Sequence, residues 1–437
     1  VWVSLISEKA GSVMELYRGN IIHTPERGRF EVLEHGYLAV ENGVIRGIYK
    51  ELPTAYSGYP VTDFGEKLII PGFHDMHVHA PQWCNAGMGF SMELLPWLNA
   101  YAFPAEAHFA DPKFAEKEYR RFVNELIRQG TTSAVIFGSR HKEATRILIE
   151  LLRKSGIRAC VGKVNMDRNS IPELQETTGD SLRETEELVQ WIQETRPGTD
   201  DRVQYMLTPR YVPCTTSELM EGLGRLAQEY DLPVQSHLDE NLSEVAWVRE
   251  LHPERKSFAD VYDYYGLLRP GKTVMAHCIH MTEEEVALLQ KKRITVAHCA
   301  MSNADLASGI MPLRKYLEKG LDVAIASDMG GSHSVNMREH IVDTIKCSKL
   351  YWFYHKEAAP VTFAESFSMA TLTGENFFGK TGCFREGYAF DALIINDESI
   401  QTGIEHDPLE RLERFVYLGD SSCIEERFVA GRECNPV

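Results

Sequence analysis

Pro71-Gly72-Phe73-His74-Asp75-Met76-His77-Val78-His79-Ala80 follows the apolar run Leu68-Ile69-Ile70, and its reading decides the fold. Within it His77 and His79 stand two apart, so on a strand both imidazoles face the same side. Turning two imidazoles into a protein interior is costly unless something binds them. An H-x-H pair alone is a weak signal, so its surroundings have to supply the rest.

Seven further apolar runs follow: Ser133–Phe137, Arg158–Val164, Val203–Pro209, Pro233–His237, Thr273–His277, Ile294–His298 and Val323–Asp328. With Leu68–His79 they make eight. Between them lie amphipathic stretches such as Phe114-Ala115-Glu116-Lys117-Glu118-Tyr119-Arg120-Arg121-Phe122-Val123, with apolar residues at helical spacing. Ser181 to Glu194 and Ser217 to Tyr230 repeat that pattern. Eight strand–helix units predict an α/β fold, a (β/α)8 TIM-like barrel. The flanks read differently. Residues 13–66 alternate apolar and polar residues with glycine punctuation, and Asp391-Ala392-Leu393-Ile394-Ile395-Asn396 and Ile424–Val429 read as short strands. We expect a small β-sandwich domain built from both termini, with residues 1–70 and 370–437 flanking a catalytic barrel at 71–369.

Composition narrows the function classes. The chain has 437 residues, with Lys+Arg 46 against Asp+Glu 63 and a formal charge of -17. Such an acidic surface repels phosphate backbones and anionic lipid, which argues against nucleic acid and membrane partners. No apolar stretch reaches the roughly 20 residues that span a bilayer. The opening Val1-Trp2-Val3-Ser4-Leu5-Ile6 is too short and too weakly charged for a secretory signal. Nine cysteines without C-x-x-C spacing suit a reducing compartment, so a cytoplasmic protein is expected.

Polar residues that interrupt apolar runs carry the chemistry. His237 ends Leu232-Pro233-Val234-Gln235-Ser236, His277 ends Val274-Met275-Ala276, and Asp328 ends Val323-Ala324-Ile325-Ala326-Ser327. All of these, with His77 and His79, fall at C-terminal strand ends, where active sites of such barrels lie. Packing accounts poorly for that coincidence, and a metal site accounts for it well. His77, His79, His237 and Asp328 form the candidate ligand set, and imidazole with carboxylate suits Zn²⁺. Fe²⁺ or Mn²⁺ fits the same ligand types. Glu240, just beyond the strand that ends at His237, suits a general acid/base, whereas Asp239 beside it reads as a solvated loop acid. His277, left outside a four-ligand set, suits polarising the attacked bond. His298, at the end of its run, reads as a supporting residue near the pocket or a purely structural one, and not as a ligand. His141-Lys142-Glu143 lacks the P-C-x-x-C that a small zinc deaminase would need, and Gly222-Leu223-Gly224 follows no strand.

These residues resemble the amidohydrolase superfamily, over nearly the whole chain. Besides the H-x-H stretch, the resemblance rests on Phe103-Pro104-Ala105-Glu106, Gly162-Lys163-Val164-Asn165-Met166-Asp167, Thr208-Pro209-Arg210-Tyr211, Ser236-His237-Leu238-Asp239-Glu240 and Ser327-Asp328-Met329-Gly330-Gly331. Gln82 and the Thr-Pro-Arg-aromatic run point to the guanine deaminase branch. The resemblance implies one zinc per chain on His77, His79, His237 and Asp328, Glu240 as proton shuttle, and a homodimer. It implies hydrolytic deamination of a small purine base, guanine to xanthine and ammonia. One departure is His298-Cys299-Ala300-Met301-Ser302-Asn303, where relatives usually carry Pro-Asn or a similar pair before Ser-Asn. Beside the resemblance, Arg210 is an all-donor fork suited to the O6 and N7 acceptors of guanine. Gln82 offers a donor and an acceptor, and Trp83 and Tyr211 offer stacking faces. Two alternatives remain: a hydrolase of another aminated heterocycle (triazine, pterin, cytosine or adenosine-like), and a non-catalytic scaffold that keeps the barrel.

Overall fold

A computed structural model describes residues 13–196, 198, 201–356, 359–434 and 436–437; the opening Val1–Ile6 stretch lies outside them. The first four strands, β1 (Met14–Glu26), β2 (Arg29–Glu41), β3 (Val44–Tyr49) and β4 (Val61–Pro71), belong to one sheet. Next come the strands of the central unit: β5 (Phe73–His79), β6 (Thr131–Phe137), β7 (Arg158–Gly162), β8 (Val164–Asn165), β9 (Val203–Tyr205) and β10 (Thr208–Pro209). β11 (Val234–Leu238), β12 (Thr273–His277), β13 (Thr295–His298) and β14 (Asp322–Ile325) complete it. Near the C-terminus, β15 (Ala392–Ile395), β16 (Ile424–Val429) and β17 (Arg432–Glu433) return to the first sheet.

The central unit is parallel throughout. β5-β6-β7-β9 and β11-β12-β13-β14 form four-stranded sheets, with β8 and β10 as a short parallel pair. Their strands are buried on both faces, as expected where helices cover a parallel sheet. Helices such as Pro112–Arg128, Lys142–Ser155 and Ser217–Glu229 bury their apolar stripes against them. The two sheets meet at both edges: Leu207 bridges Val234 on one side, and Asp328 N–H donates to the His77 carbonyl at 2.8 Å on the other. The α/β, TIM-barrel type of architecture is therefore present, as two half-barrels whose ladders are interrupted. The second junction breaks because the chain leaves the ladder after Ile325 and turns through left-handed backbone at Asp328 (φ 48°).

Each expected apolar run holds a strand, with one instructive difference. Leu68–His79 reads as a single run, yet it divides between β4 in the terminal sheet and β5 in the central unit. Gly72 makes the switch. A Cβ there would come within 2.2 Å of the Thr132 side chain, so only glycine lets the two sheets approach.

Both termini do share one sheet, in the order β17-β16-β15-β4-β1-β2-β3. β1 pairs with β4 in parallel, and β15 pairs antiparallel along the other edge of β4, Leu393 opposite Ile70. Its pairing is that of one seven-stranded sheet and not of two separate ones. Tyr17, Ile21, Leu38, Phe64, Phe390 and Phe428 pack into a core of its own.

Candidate active site

β5 carries His77 and His79 two residues apart, and both rings reach the barrel interior with centroids 4.9 Å apart. β11 brings His237 opposite, its Nε2 at 3.1 Å from His79 Nε2. Asp328 Oδ1 stands 3.3 Å from His77 Nε2 and 3.5 Å from His79 Nε2. A tetrahedral zinc with bonds of about 2.0–2.1 Å separates its donor atoms by about 3.3–3.4 Å. The observed spacings lie around that value. His77 Nε2 is moreover buried without a hydrogen-bond partner among the described residues, which is what a metal-directed lone pair looks like without its ion. Burial holds His77, His79 and His237 well below the usual imidazole pKa, hence neutral and able to donate lone pairs. The donor set fits a divalent ion.

Outer contacts fix these groups. His237 Nδ1–H donates to the Arg210 carbonyl at 2.6 Å, which turns Nε2 inward. Ser302 Oγ–H donates to Asp328 Oδ2 at 2.5 Å. Asp75, buried in β5, accepts from Ser327 N–H at 2.9 Å and so anchors the residue before Asp328. Gly331 leaves room for the aspartate, since a Cβ there would lie 2.7 Å from Asp328 Oδ2. His277, at φ 69°, and Asp328 both hold left-handed backbone, a strain that side-chain residues sustain only where surroundings enforce it.

Next to the donor cluster lies a pocket whose wall includes Gln82, Trp97, Arg210, Tyr211, Glu240 and His277. Glu240 Oε2 is 3.4 Å from His277 Nε2, and Ser308 Oγ–H approaches its other oxygen at 3.4 Å. Burial, and then the charge of Asp328, push the Glu240 carboxyl well above its ordinary pKa. A carboxyl shifted in this direction holds its proton more firmly than a free glutamate, as a general acid requires. His277 Nδ1–H donates to Asn303 Oδ1 at 2.9 Å, leaving Nε2 facing Glu240. Arg210 Nη1 donates to both oxygens of Glu106, at 2.9 and 2.7 Å, and its guanidinium lies 4.8 Å from the Phe103 ring centre.

The cluster thus gathers His77, His79, His237, His277 and Asp328, with Gln82, Arg210, Tyr211 and Glu240 around the adjoining pocket. Some expectations are corrected. Trp83 packs against the main apolar core and is not on the pocket wall; the indole there is Trp97. The tight helical turn Ala80–Asn85 points consecutive residues about 120° apart, so Gln82 enters the pocket and its neighbour Trp83 does not. Asp239 is not solvated: it is buried, and burial and then Glu285 push its carboxyl well above the ordinary range. His298 is buried away from the pocket wall. Glu106, Ser302, Asn303 and Asp75 were not singled out for roles by sequence reasoning. An acid in the mostly apolar segment Phe103-Pro104-Ala105-Glu106 was the available signal for the first, and the departure after His298 for the next two.

Comparison with known proteins agrees with this geometry. Residues 68–434 match the amidohydrolase family, and the chain belongs to that family. Within it the chain stands with the guanine deaminases. It is 36% identical to guanine deaminase of Dictyostelium discoideum over 97% of this chain and 99% of that one. Its identity to guanine deaminase of Escherichia coli is 32%, over 97% of this chain and 96% of that one. Among solved structures, guanine deaminase from C. acetobutylicum with guanine bound in the active site superposes with a TM-score of 0.94. That protein is 43% identical, with 97% of this chain and 100% of that chain covered.

Proposed function

We infer that the protein hydrolyses guanine to xanthine and ammonia. The observation that carries this reading is the whole-length likeness, at 43% identity, to a guanine deaminase whose active site holds guanine. The convergence of the donor cluster with the Gln82–Arg210 wall supports it independently. His77, His79, His237 and Asp328 would hold one Zn²⁺ per chain, with Fe²⁺ as the other candidate. A bound divalent ion supplies Lewis acidity and lowers the pKa of water to roughly 7.

The remaining work falls to side chains. Arg210 and Gln82 hold the oxo edge of the base, and Tyr211 flanks its face. Asp328 accepts the proton of the attacking water as its oxygen bonds to C2. Glu240 gives a proton to the adjacent ring nitrogen, takes the C2 hydroxyl proton as the tetrahedral carbon collapses and passes it to the departing amine; the proton held by Asp328 then restores Glu240, so that water and guanine balance xanthine and ammonia. His277, aimed by Asn303, steadies the tetrahedral carbon's polar substituent. The same reading makes residues 71–369 the catalytic barrel. Residues 1–70 and 370–437 would make up the small β domain, whose described strands share the seven-stranded sheet. It also makes the enzyme a cytoplasmic homodimer without nucleic acid or membrane partners, in keeping with the charge of -17. Among the described residues no helix is long and apolar enough to cross a membrane. Steady-state assays with guanine test the reading. Xanthine should accumulate with about one metal ion per chain, and its absence from fully loaded protein would sink the proposal.

A further inference from the structure

The short helix Phe103–Ala107 carries one acid, Glu106, which is 1% exposed on an element whose Phe103 belongs to a buried apolar cluster. A carboxylate in such surroundings is costly unless its oxygens are used. Both are. Oε1 accepts from Gln82 Nε2 at 2.8 Å and from Arg210 Nη1 at 2.9 Å, and Oε2 accepts from the same Nη1 at 2.7 Å.

That arrangement has a chemical direction. An ionised carboxylate only accepts, so it selects the NH₂ end of the Gln82 amide and turns the carbonyl end away. The Gln82 oxygen lies over Gly330, where a Cβ would come within 2.1 Å of it. No hydrogen bond from a described residue reaches that oxygen, and Gln82 lines the pocket. Among the described residues Arg210 likewise spends only Nη1 on the protein, while Phe103 lies against the guanidinium. The wall therefore presents one acceptor beside unspent donors.

We propose that Glu106 is a positioning residue that sets base specificity through Gln82, whose amide it holds carbonyl-out beside the free edge of Arg210. This rests on the guanine reading above. The oxo edge of guanine places a ring N–H donor beside an oxygen acceptor, which complements such a wall. 2-Aminopurine carries the same C2 amine but offers a bare ring nitrogen and no oxygen. It would set an acceptor against the Gln82 oxygen and leave Arg210 unpaired, a mismatch that buried sites penalise strongly. A Gln82 amide free to flip would lose this discrimination.

The test measures kcat and KM for guanine and 2-aminopurine in wild type, Glu106→Gln, Gln82→Ala and the double variant, with metal content alongside. Wild type should prefer guanine by about 10³-fold or more. Glu106→Gln offers the amide a partner in either orientation, so the preference should fall at least tenfold with metal content unchanged. Because Glu106 acts through Gln82, the double variant should discriminate no worse than Gln82→Ala alone. Equal losses on both substrates, or additive losses in the double variant, overturn the proposal, because a merely structural carboxylate behaves that way. Should Glu106→Gln not fold, Glu106→Asp keeps the charge for Arg210 but withdraws from Gln82, and the same loss of preference is expected. Wild type that yields no xanthine overturns the function itself. Wild type that deaminates guanine, with Glu106→Gln equally selective, overturns only the role of Glu106.

Discussion

Glu240 stands 3.4 Å from His277 and outside the donor cluster, so its removal should leave the metal in place. We expect Glu240→Gln to retain about one ion per chain while kcat falls by about 10²–10⁴-fold, the usual range for a lost general acid/base. Metal analysis beside a kcat measurement checks this, and a near-normal rate would remove Glu240 from the mechanism. Ser302 acts one contact further out, through Asp328 Oδ2. Ser302→Ala should weaken metal affinity or activity by about 10–100-fold, read by competition with a chelator. The histidines and Asp328 were legible because each breaks an apolar run, which a folding chain does not do without reason. Asp75 and Ser302 were not. Serine and aspartate are common at turns, and the Asp75 contact with Ser327 joins residues 252 apart, a closeness that no local pattern announces.

At the level of elements, the exchange of one continuous run between two sheets is the decisive geometry. Gly72→Ala would drive a methyl into Thr132, at a cost of about 1–3 kcal/mol as for other overpacked sites. Denaturant unfolding should show this loss, and Gly72→Ala with Thr132→Ala should recover part of it. If the single variant were neutral, the tight approach of β4 and β5 to β6 would not matter to stability. The sequence could not have revealed the split, because apolar residues continue across it and periodicity is blind to which sheet a strand joins. The eight strands themselves were legible, being buried on both faces and therefore continuously apolar. The open junctions of the barrel were not, since a left-handed residue such as Asp328 leaves no trace in composition.

Stability belongs to the molecule as a whole, and its pH dependence can be dissected at the seam between barrel and C-terminal segment. His74 is fully buried, with Nδ1–H donating to the Thr373 carbonyl at 2.6 Å, and burial lowers its pKa to about 4. As pH falls below about 6.5 the unfolded chain takes a proton that the native imidazole refuses. His74 therefore contributes a loss that grows toward pH 4 and totals on the order of 3 kcal/mol. Asp75 and Glu244, pushed up to about 7 and about 8 by burial, act in the opposite sense, so the bulk slope is not the measurement. His74→Asn keeps a donor but never titrates. Its stability relative to wild type should rise by about 2–3 kcal/mol between pH 7.5 and 4.5, and a constant difference would refute the assignment. The seam has a consequence for biosynthesis. One edge of β4 pairs with β1, but the other waits for β15 at Ala392–Ile395, roughly 320 residues later in the chain. At about 5–20 residues per second that edge, Leu68-Ile69-Ile70, stays open on the ribosome for some tens of seconds. A nascent chain with such an edge invites pairing with a neighbour. Slow translation through residues 72–391 should therefore lower the soluble yield of this protein, and early engagement by a chaperone should restore it.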